Sequence, residues 1–350
     1  MDENHELNIL ITGGLGYIGS HAVIELCDSN LYKRVIIVDN LVNSSIKVLD
    51  RISQIVTSWT TEIIFEELDC LDIDGLEQHV FGVYPIHEII HFAGFKAVGE
   101  SVKNPLMYYE NNIMSTINLL KLVKKYDSVC HSFLFSSSAT VYDEQKWLEE
   151  SKTGPINPYG MTKLMGEQII QDYAHTNHKL FWICLRYFNP IGAHPSGIIG
   201  EAPHMPNNLM PVIQEVASGK REVLKVFGDD YDTPDGTGLR DYIHVVDLAQ
   251  AHISALKYMR EYNSEGERFE VFNVGTGTPT SVLDLVNAFE EENWIKIPYE
   301  VVAKREGDAA ISYAVTDKAK RLLNWKSKFT IRDACRHSWN WIKNNPNGVE

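Results

Sequence analysis

Through the first half of the chain, short apolar runs alternate with stretches whose apolar positions recur every three or four residues. The run 7–11, broken by one Asn, has the length of a buried parallel strand. A helical pattern follows it, with Ile18, Ala22 and Leu26 recurring every four residues and Val23 beside them. Further strands are predicted at 34–38, 63–68, 87–92, 132–137 and 180–187, the last nearly all apolar and so buried on both faces. Long helices are predicted over 105–125 and 159–175. The first has Pro105 in its opening turn and Leu106, Tyr109, Ile113, Ile117 and Leu120 on one face. Such alternation demands a parallel sheet with right-handed crossovers, an α/β doubly wound fold. Ligands of these sheets sit beyond the carboxyl ends of the strands. Gly13, Asp39, Asp69, Ala93-Gly94, Ser138 and Asn189 fall at those ends and are predicted to share one cleft.

Beyond Asn189-Pro190 the texture changes. Residues 190–209 carry prolines and glycines enough for a wandering loop, and 228–238 is rich in Asp, Gly and Pro. Shorter elements are predicted at 223–227, 241–244, 246–262, 269–274, 282–291 and 331–344. We read residues 1–190 as the first domain and 191–350 as a smaller C-terminal α/β lobe closing over the cleft. The chain is expected to cross back to the first domain around 240–275.

The turn between the first strand and helix reads Thr12-Gly13-Gly14-Leu15-Gly16-Tyr17-Ile18-Gly19. A strand feeding a glycine turn and then a helix is the context in which this pattern holds a dinucleotide. Gly13 and Gly16 permit a tight turn and close approach of a pyrophosphate, while Gly19 lets the helix pack on the strand. The helix N-terminus then faces negative charge. The second strand ends in Asp39, twenty residues after Gly19. A carboxylate there accepts bonds from both ribose hydroxyls and repels a 2′-phosphate, which selects NAD over NADP. The fold is therefore expected to be Rossmann-type.

A formal charge of −15 disfavours nucleic-acid and anionic-membrane partners, so an anionic substrate must be held by a few local arginines. No apolar run approaches the eighteen or so residues of a membrane span. The acidic start, Met1-Asp2-Glu3-Asn4-His5-Glu6, is unlike a secretory signal. The five cysteines stand singly, and Cys27, Cys130 and Cys184 read as small core residues. A cytoplasmic location and no metal site are expected.

Tyr159 and Lys163 stand four residues apart, on one face of a helix. A phenol with pKa near 10 is a poor base at neutral pH. A neighbouring ammonium and a positive nicotinamide ring favour the phenolate, tuning Tyr159 to take a hydroxyl proton as hydride leaves the same carbon. Ser138, at the end of Ser136-Ser137-Ser138, could hold the substrate oxygen.

With these pieces in view, the chain resembles the extended short-chain dehydrogenase/reductases, above all their branch that epimerises nucleotide sugars. The resemblance runs from Leu7 to beyond Trp325. It rests on GGLGYIGSH (13–21), DNL (39–41), HFAGFKAVGES (91–101), YYENN (108–112), FSSSATVY (135–142), NPYGMTKLMGEQ (157–168), LRYFNPIGAHPSG (185–197), MPNNLMP (205–211), DGTGLRDYIHVVDLA (235–249) and REGD (305–308).

The resemblance implies that Gly13, Gly16, Tyr17, Ile18 and Gly19 bind the pyrophosphate of NAD. Asp39, Asn40 and Asn43 would hold the adenosine ribose side, Asp69 and Cys70 would border the adenine, and Phe92, Ala93 and Gly94 would line the dinucleotide. Lys96 and Asn111 would complete the cofactor and substrate surroundings, and Ser138, Tyr159 and Lys163 would be the catalytic trio. A UDP-hexose would meet Phe188, Asn189, Asn208, Leu209, Lys225, Phe227, Arg240, Arg305, Asp308 and Ser312. Arg240 and Arg305 suit a diphosphate, with an ion pair of Arg240 to Asp241 or Asp247 as the plainer alternative. The implied reaction passes C4 hydride to tightly held NAD and back to the other face, interconverting UDP-galactose and UDP-glucose through a 4-keto sugar.

The sequence departs from the branch's pattern after Tyr142, where Asp143-Glu144-Gln145-Lys146-Trp147 stands in a shortened loop. Ser312 lies four residues after Asp308, where a tyrosine marks enzymes restricted to plain hexoses. A serine there leaves room for an N-acetyl group, unless a one-residue slip puts Tyr313 in the pocket. Sister 4,6-dehydratases and UDP-glucuronate decarboxylases need an extra carboxyl beside the active serine or threonine, where this chain has Ala139-Thr140. A reductase that releases NADH and a non-catalytic NAD sensor are further alternatives. The faces Leu106/Tyr109/Ile113/Ile117 and Met165/Ile169/Tyr173 either pair two copies in a homodimer or cover the chain's own sheet.

Overall fold

A computed structural model describes residues 7–349 apart from 59, 144–150, 204–205, 263–267 and 306–307. Strands β1 (Asn8–Thr12), β2 (Arg34–Asp39), β3 (Glu62–Glu67), β4 (Glu88–His91), β5 (Ser132–Ser138) and β6 (Phe181–Tyr187) come first. After them come β7 (Asn189–Ile191), β8 (Leu224–Phe227), β9 (Leu239–His244), β10 (Phe269–Val274), β11 (Pro279–Ser281), β12 (Tyr299–Val302) and β13 (Ile311–Ser312). Seven of these form one sheet in the order β10-β6-β5-β4-β1-β2-β3, every neighbouring pair parallel. The order reverses at β1, and ligand crevices open at such switch points. This is the Rossmann-type doubly wound architecture expected above.

Alternation along β1 shows why the sheet is stable in this register. Ile9 and Ile11 face the cluster that holds Val23, Leu26, Leu248 and Leu256, from helices Tyr17–Asp28 and Val245–Glu261. Leu10 faces the opposite cluster, with Leu119, Val123 and Ile170 from helices Pro105–Lys125 and Pro158–Ala174. All three β1 residues are fully buried, each worth about 1.5–3 kcal/mol. The strand β10 brings the chain back to the sheet beside β6 after the excursion that begins at Asn189.

Around β7, β8 and β9 a separate cluster of Met210, Ile213, Leu224, Val226, Leu285, Phe289 and Cys335 packs helices Leu209–Ala217, Val282–Asn293 and Ile331–Asn344. The strand β9 pairs with β7 and β13 in parallel and with β11 antiparallel, while β8 pairs with β12. The last helix opens with a capping box between Thr330 and Asp333.

One predicted face needs correction. In helix Pro105–Lys125 Ile113 and Leu120 of that face are buried as expected, but Leu106 is 79% exposed and the buried side also carries Tyr108, Asn112, Ser115, Thr116, Leu119 and Val123. Polar residues face inward because partners wait there. Asn112 donates to Phe95 O and Thr162 Oγ1, and Asn118 to Cys70 O and Leu71 O. A reading built on apolar residues alone rotates this helix outward. In the loop after Tyr142, residues 144–147 lie outside the described residues, as do Glu306 and Gly307 of the REGD stretch.

Candidate active site

The glycine turn is built by close approach. Gly13 has φ +70°, and its N–H donates to Val38 O at 2.7 Å. A Cβ on Gly13 would stand 2.8 Å from Ala93 N, and one on Gly19 would stand 2.2 Å from Gly13 O. Gly16, by contrast, would bring its Cβ within 4 Å of a single atom, Gly13 O at 3.3 Å. Its outer side is open for a ligand. Helix Tyr17–Asp28 starts with no side-chain cap and no acidic residue in its first turn. Its leading N–H groups, Tyr17, Ile18 and Gly19 among them, have no preceding helical carbonyl to reach.

Asp39 is tied into this turn. Its Oδ2 accepts Leu15 N at 3.0 Å, and Oδ1 accepts Leu41 N at 3.0 Å and Ser44 Oγ at 2.7 Å. A carboxylate has about four acceptor positions, so capacity remains for a further donor. Leu41 adopts φ +58°, a strained conformation for a branched side chain that turns its N–H toward Asp39. No sequence signal marks it. Asn40 donates to Asp69 Oδ2 at 2.8 Å, and Cys70 is buried, its thiol pushed up to about 12 by burial. Asn43 is exposed in the turn after β2.

Across β4, Phe92 N and Ala93 N both donate to Thr12 O, at 3.0 and 3.1 Å. Gly94 brings its backbone against Asn112, whose amide bridges Phe95 and Thr162. Asn111 donates to Asn112 Oδ1 at 2.9 Å. The sequence reading passed over Asn112, although it joins the loop after β4 to the helix bearing Tyr159. Lys96 pairs with Glu201 at 2.9 Å and lies over the Tyr17 ring at 5.6 Å. Glu201 was likewise missed.

The trio comes from two elements. Ser138 ends β5 and accepts Thr140 N at 3.2 Å and Thr140 Oγ1 at 2.9 Å. The second element, helix Pro158–Ala174, begins one residue earlier than predicted, because Asn157 Oδ1 caps Gly160 N at 2.8 Å and Pro158 suits the first turn. On that helix Lys163 Nζ donates to Ser136 O at 2.7 Å and lies 5.9 Å from the Tyr159 ring centroid. Burial pulls the Lys163 pKa down to about 8, opposed by the charge of Glu167. Tyr159 departs from expectation. In the protein by itself, burial raises its pKa, and the nearby Ser138 hydroxyl works in the lowering direction.

On the lobe side, Asn189 donates to Asp241 O at 3.1 Å, and Phe188 is buried with its N–H on Val274 O. Asn208 is the N-cap of the helix that starts at Leu209. On β8, Lys225 and Phe227 share a face. Lys225 is exposed, 4.0 Å from Glu300, and the Arg305 guanidinium stacks 3.7 Å over the Phe227 ring. Arg240 pairs with Asp308 at 3.9 Å rather than with Asp241 or Asp247. Asp241 accepts from Thr276, Gly277 and Ala314, and Asp247 from Lys328 N and Phe329 N. Ser312 is half-buried on β13, while Tyr313 packs with Val141, Tyr142 and Phe188.

Known proteins share this sequence and fold. A family profile described as GDP-mannose 4,6 dehydratase matches residues 10–338. A UDP-glucose 4-epimerase of Cyamopsis tetragonoloba is 48% identical over 97% of this chain and 96% of its own. The chain belongs to the UDP-glucose 4-epimerase family. Among solved members, the UDP-glucose 4-epimerase of Bifidobacterium longum in complex with NAD+ and UDP is 45% identical, with TM-score 0.89 over 97% of this chain and 99% of that one. The UDP-Glc/GlcNAc 4-epimerase of Campylobacter jejuni is 34% identical, with TM-score 0.82 over 97% and 100%.

The residues present fit a dinucleotide. An open glycine at the turn, uncapped helical N–H groups and a buried, preoriented carboxylate at the end of β2 make a complementary donor and acceptor set. Beside Ser138 the family chain carries Ala139 and Thr140, with Thr140 bonded to Ser138, in place of the carboxyl a dehydratase needs.

Proposed function

We propose that the chain is an NAD-dependent UDP-glucose 4-epimerase that inverts C4 of the hexose in UDP-galactose and UDP-glucose. One observation carries this reading: Tyr159, one turn from Lys163 and close to Ser138 at the carboxyl end of β5, stands in a chain 48% identical to such an enzyme. NAD would supply the hydride acceptor and donor for C4. Gly13, Gly16, Tyr17, Ile18 and Gly19 hold its pyrophosphate. Asp39, Asn40 and Asn43 hold the adenosine ribose side, and Asp69, Cys70, Phe92, Ala93 and Gly94 line the remainder. The division of labour follows the fold: residues 1–190, with helix Val245–Glu261 and β10 packed back on their sheet, serve the dinucleotide, and the rest of 191–350 serves the UDP-sugar.

Tyr159 takes the 4-hydroxyl proton and later gives it back. Lys163, fixed on Ser136 O, lends positive charge to the phenolate, and Ser138 aligns the sugar oxygen with the phenol. Arg240 and Arg305 grip the diphosphate, Phe227 covers the uracil, and Asp308 takes the second ribose. Phe188, Asn189, Asn208, Leu209, Lys225, Lys96 and Asn111 complete the walls. An anchored diphosphate with a lightly held hexose lets the sugar turn about the bond between them and present its other face.

The small side chain of Ser312, level with Arg240, favours acceptance of UDP-N-acetylglucosamine and UDP-N-acetylgalactosamine as well, and the dual substrates in the Campylobacter enzyme's name support asking this. Exposed Leu106, Met107, Met114 and Met165 on two neighbouring helices support a homodimer built on that face. Five free, buried cysteines are consistent with work in a reducing cytoplasm. Among the described residues, no helix is long and apolar enough to cross a membrane. The deciding experiment incubates the protein with UDP-galactose and no added cofactor, then separates the products. UDP-glucose is expected. No conversion even with NAD supplied sinks the reading.

A further inference from the structure

Beneath the floor of the active site lies a buried ion pair that the chemistry above does not use. Glu167 stands one helical turn beyond Lys163. Its carboxylate accepts from Ser137 Oγ, from Arg186 Nε at 2.9 Å and from Arg186 Nη2 at 2.6 Å. Glu167 and Arg186 side chains each retain 6% exposure. Ser137 sits between Ser136, whose carbonyl receives Lys163, and Ser138. Arg186 is the register partner of Ser137 across β5 and β6. One carboxylate thus joins the helix of Tyr159 and Lys163 to both strands behind it. Next to it, Gly166 allows the close approach, since a Cβ there would stand 2.6 Å from the Phe135 ring.

A pair this buried is costly to desolvate, and apolar residues would fill the same space at least as stably. A role beyond packing follows from what surrounds Lys163. Around it are Tyr159 and Glu167 on its own helix, Cys184 on β6 and His91 on β4, while Arg186 on β6 is held to Glu167. Burial keeps the Cys184 thiol protonated and pulls His91 down to about 3, so both are neutral near pH 7. Glu167 is the carboxylate in this set, and its charge acts on Lys163 in the direction that keeps the ammonium.

We propose that Glu167 is a positioning residue that, through Ser137 and Arg186, seats the catalytic helix on β5 and, through its charge, keeps Lys163 an ammonium while Tyr159 acts. The proposal rests on the epimerase reading for its turnover assay alone. Two readouts test it in Glu167→Gln, Arg186→Gln and Glu167→Asp. One is the pH dependence of kcat on UDP-galactose. The other is the titration midpoint of Lys163 itself, read without turnover by competitive acetylation across pH and peptide mass spectrometry.

Glu167→Gln is expected to move the alkaline limb and the Lys163 midpoint down by on the order of one pH unit. Arg186→Gln, which removes a positive charge, is expected to move both upward. Glu167→Asp should restore the wild-type limb while kcat stays low, because the shorter side chain keeps the charge and loses the seat. Folded Glu167→Gln with unmoved midpoints, or both Gln variants shifting in one direction, overturns the proposal. Should neither Gln variant fold, Glu167→Asp decides: unchanged kcat overturns the proposal, and lowered kcat at an unmoved Lys163 midpoint upholds it. A wild-type protein unable to epimerise would end the functional reading, and the Lys163 midpoints would still decide the positioning role.

Discussion

Ser312 and Arg240 are register partners across the parallel strands β13 and β9, and Arg240 reaches to 3.9 Å from Asp308. The residue at 312 therefore lies level with the arginine assigned to the diphosphate. Its neighbour Tyr313 packs with Val141, Tyr142 and Phe188, and side chains alternate along a strand. We expect Ser312→Tyr to abolish turnover of UDP-N-acetylglucosamine and spare that of UDP-galactose, because a clash rejects only the larger ligand. Product chromatography with both sugars checks this. Wild-type protein inert toward both acetylated sugars would show that pocket size is not set at Ser312.

Tyr159→Phe removes the phenol and leaves the ring that Lys163 lies beside. Turnover should fall by about two to four decades, the usual worth of a positioned acid–base group. NAD content and melting temperature should stay near wild type. Turnover close to normal would remove Tyr159 from the mechanism.

An epimerase must keep its reduced cofactor between half-reactions, so the purified protein should carry NAD through gel filtration. Gly19→Ala would place a methyl 2.2 Å from Gly13 O and 2.8 Å from Gly14 Cα, both backbone atoms that cannot swing aside. The expected result is loss of copurifying NAD and a lower melting temperature, overpacking of this kind costing about 1–3 kcal/mol. Gly99→Ala serves as the control, since nothing lies within 4 Å of its added Cβ. Equal NAD release on denaturing Gly19→Ala and wild type would refute the account of the turn.

Burial holds four histidines neutral, pulling His21 and His91 down to about 3, His244 to about 2 and His252 to about 4. Unfolded, each titrates near 6.5. Between those values the unfolded chain binds more protons, so stability rises with pH and is lost as pH falls below about 6.5. Each histidine contributes a slope of up to about 1.4 kcal/mol per pH unit in that window. Thermal melts should show a steep drop in Tm from pH 7 to pH 5.5. A flat Tm over that range would mean these rings take up protons without unfolding.

On helices Pro105–Lys125 and Pro158–Ala174, Leu106 is 79% exposed, and Met107, Met114 and Met165 lie between 37% and 39%. Light scattering at micromolar concentration should give dimer mass for the wild type and monomer mass for a Leu106→Asp/Met165→Glu variant. Monomer mass for both would leave that face without a second copy.

Much of the architecture was legible before any coordinates. The strands of the parallel sheet and the helices 105–125 and 331–344 follow from runs and periods in the chain, because burial on both faces of a strand or one face of a helix writes a repeating apolar signature. The glycine turn, Asp39 and the Tyr159/Lys163 pair were legible for a related reason: each depends on residue type at a fixed short spacing. Short elements such as Lys47–Ile55, Leu209–Ala217 and Ile311–Ser312 were not, since a few residues cannot establish a period.

Tertiary structure decided what depends on partners distant in sequence. The buried side of helix Pro105–Lys125 is polar in part because Asn112 and Asn118 find carbonyls from other segments, which no period announces. Arg240 met Asp308, 68 positions away, instead of the aspartate next to it, because Asp241 is already occupied by Thr276, Gly277 and Ala314. Glu167 and Arg186 stand 19 residues apart, and only the packing of the helix on β6 brought them together. The sequence by itself determined the fold class and singled out the candidate reacting groups, both of which rest on local pattern and chemical type. The protonation of those groups and the pairing of their supports were decided by burial, a property of the folded chain as a whole.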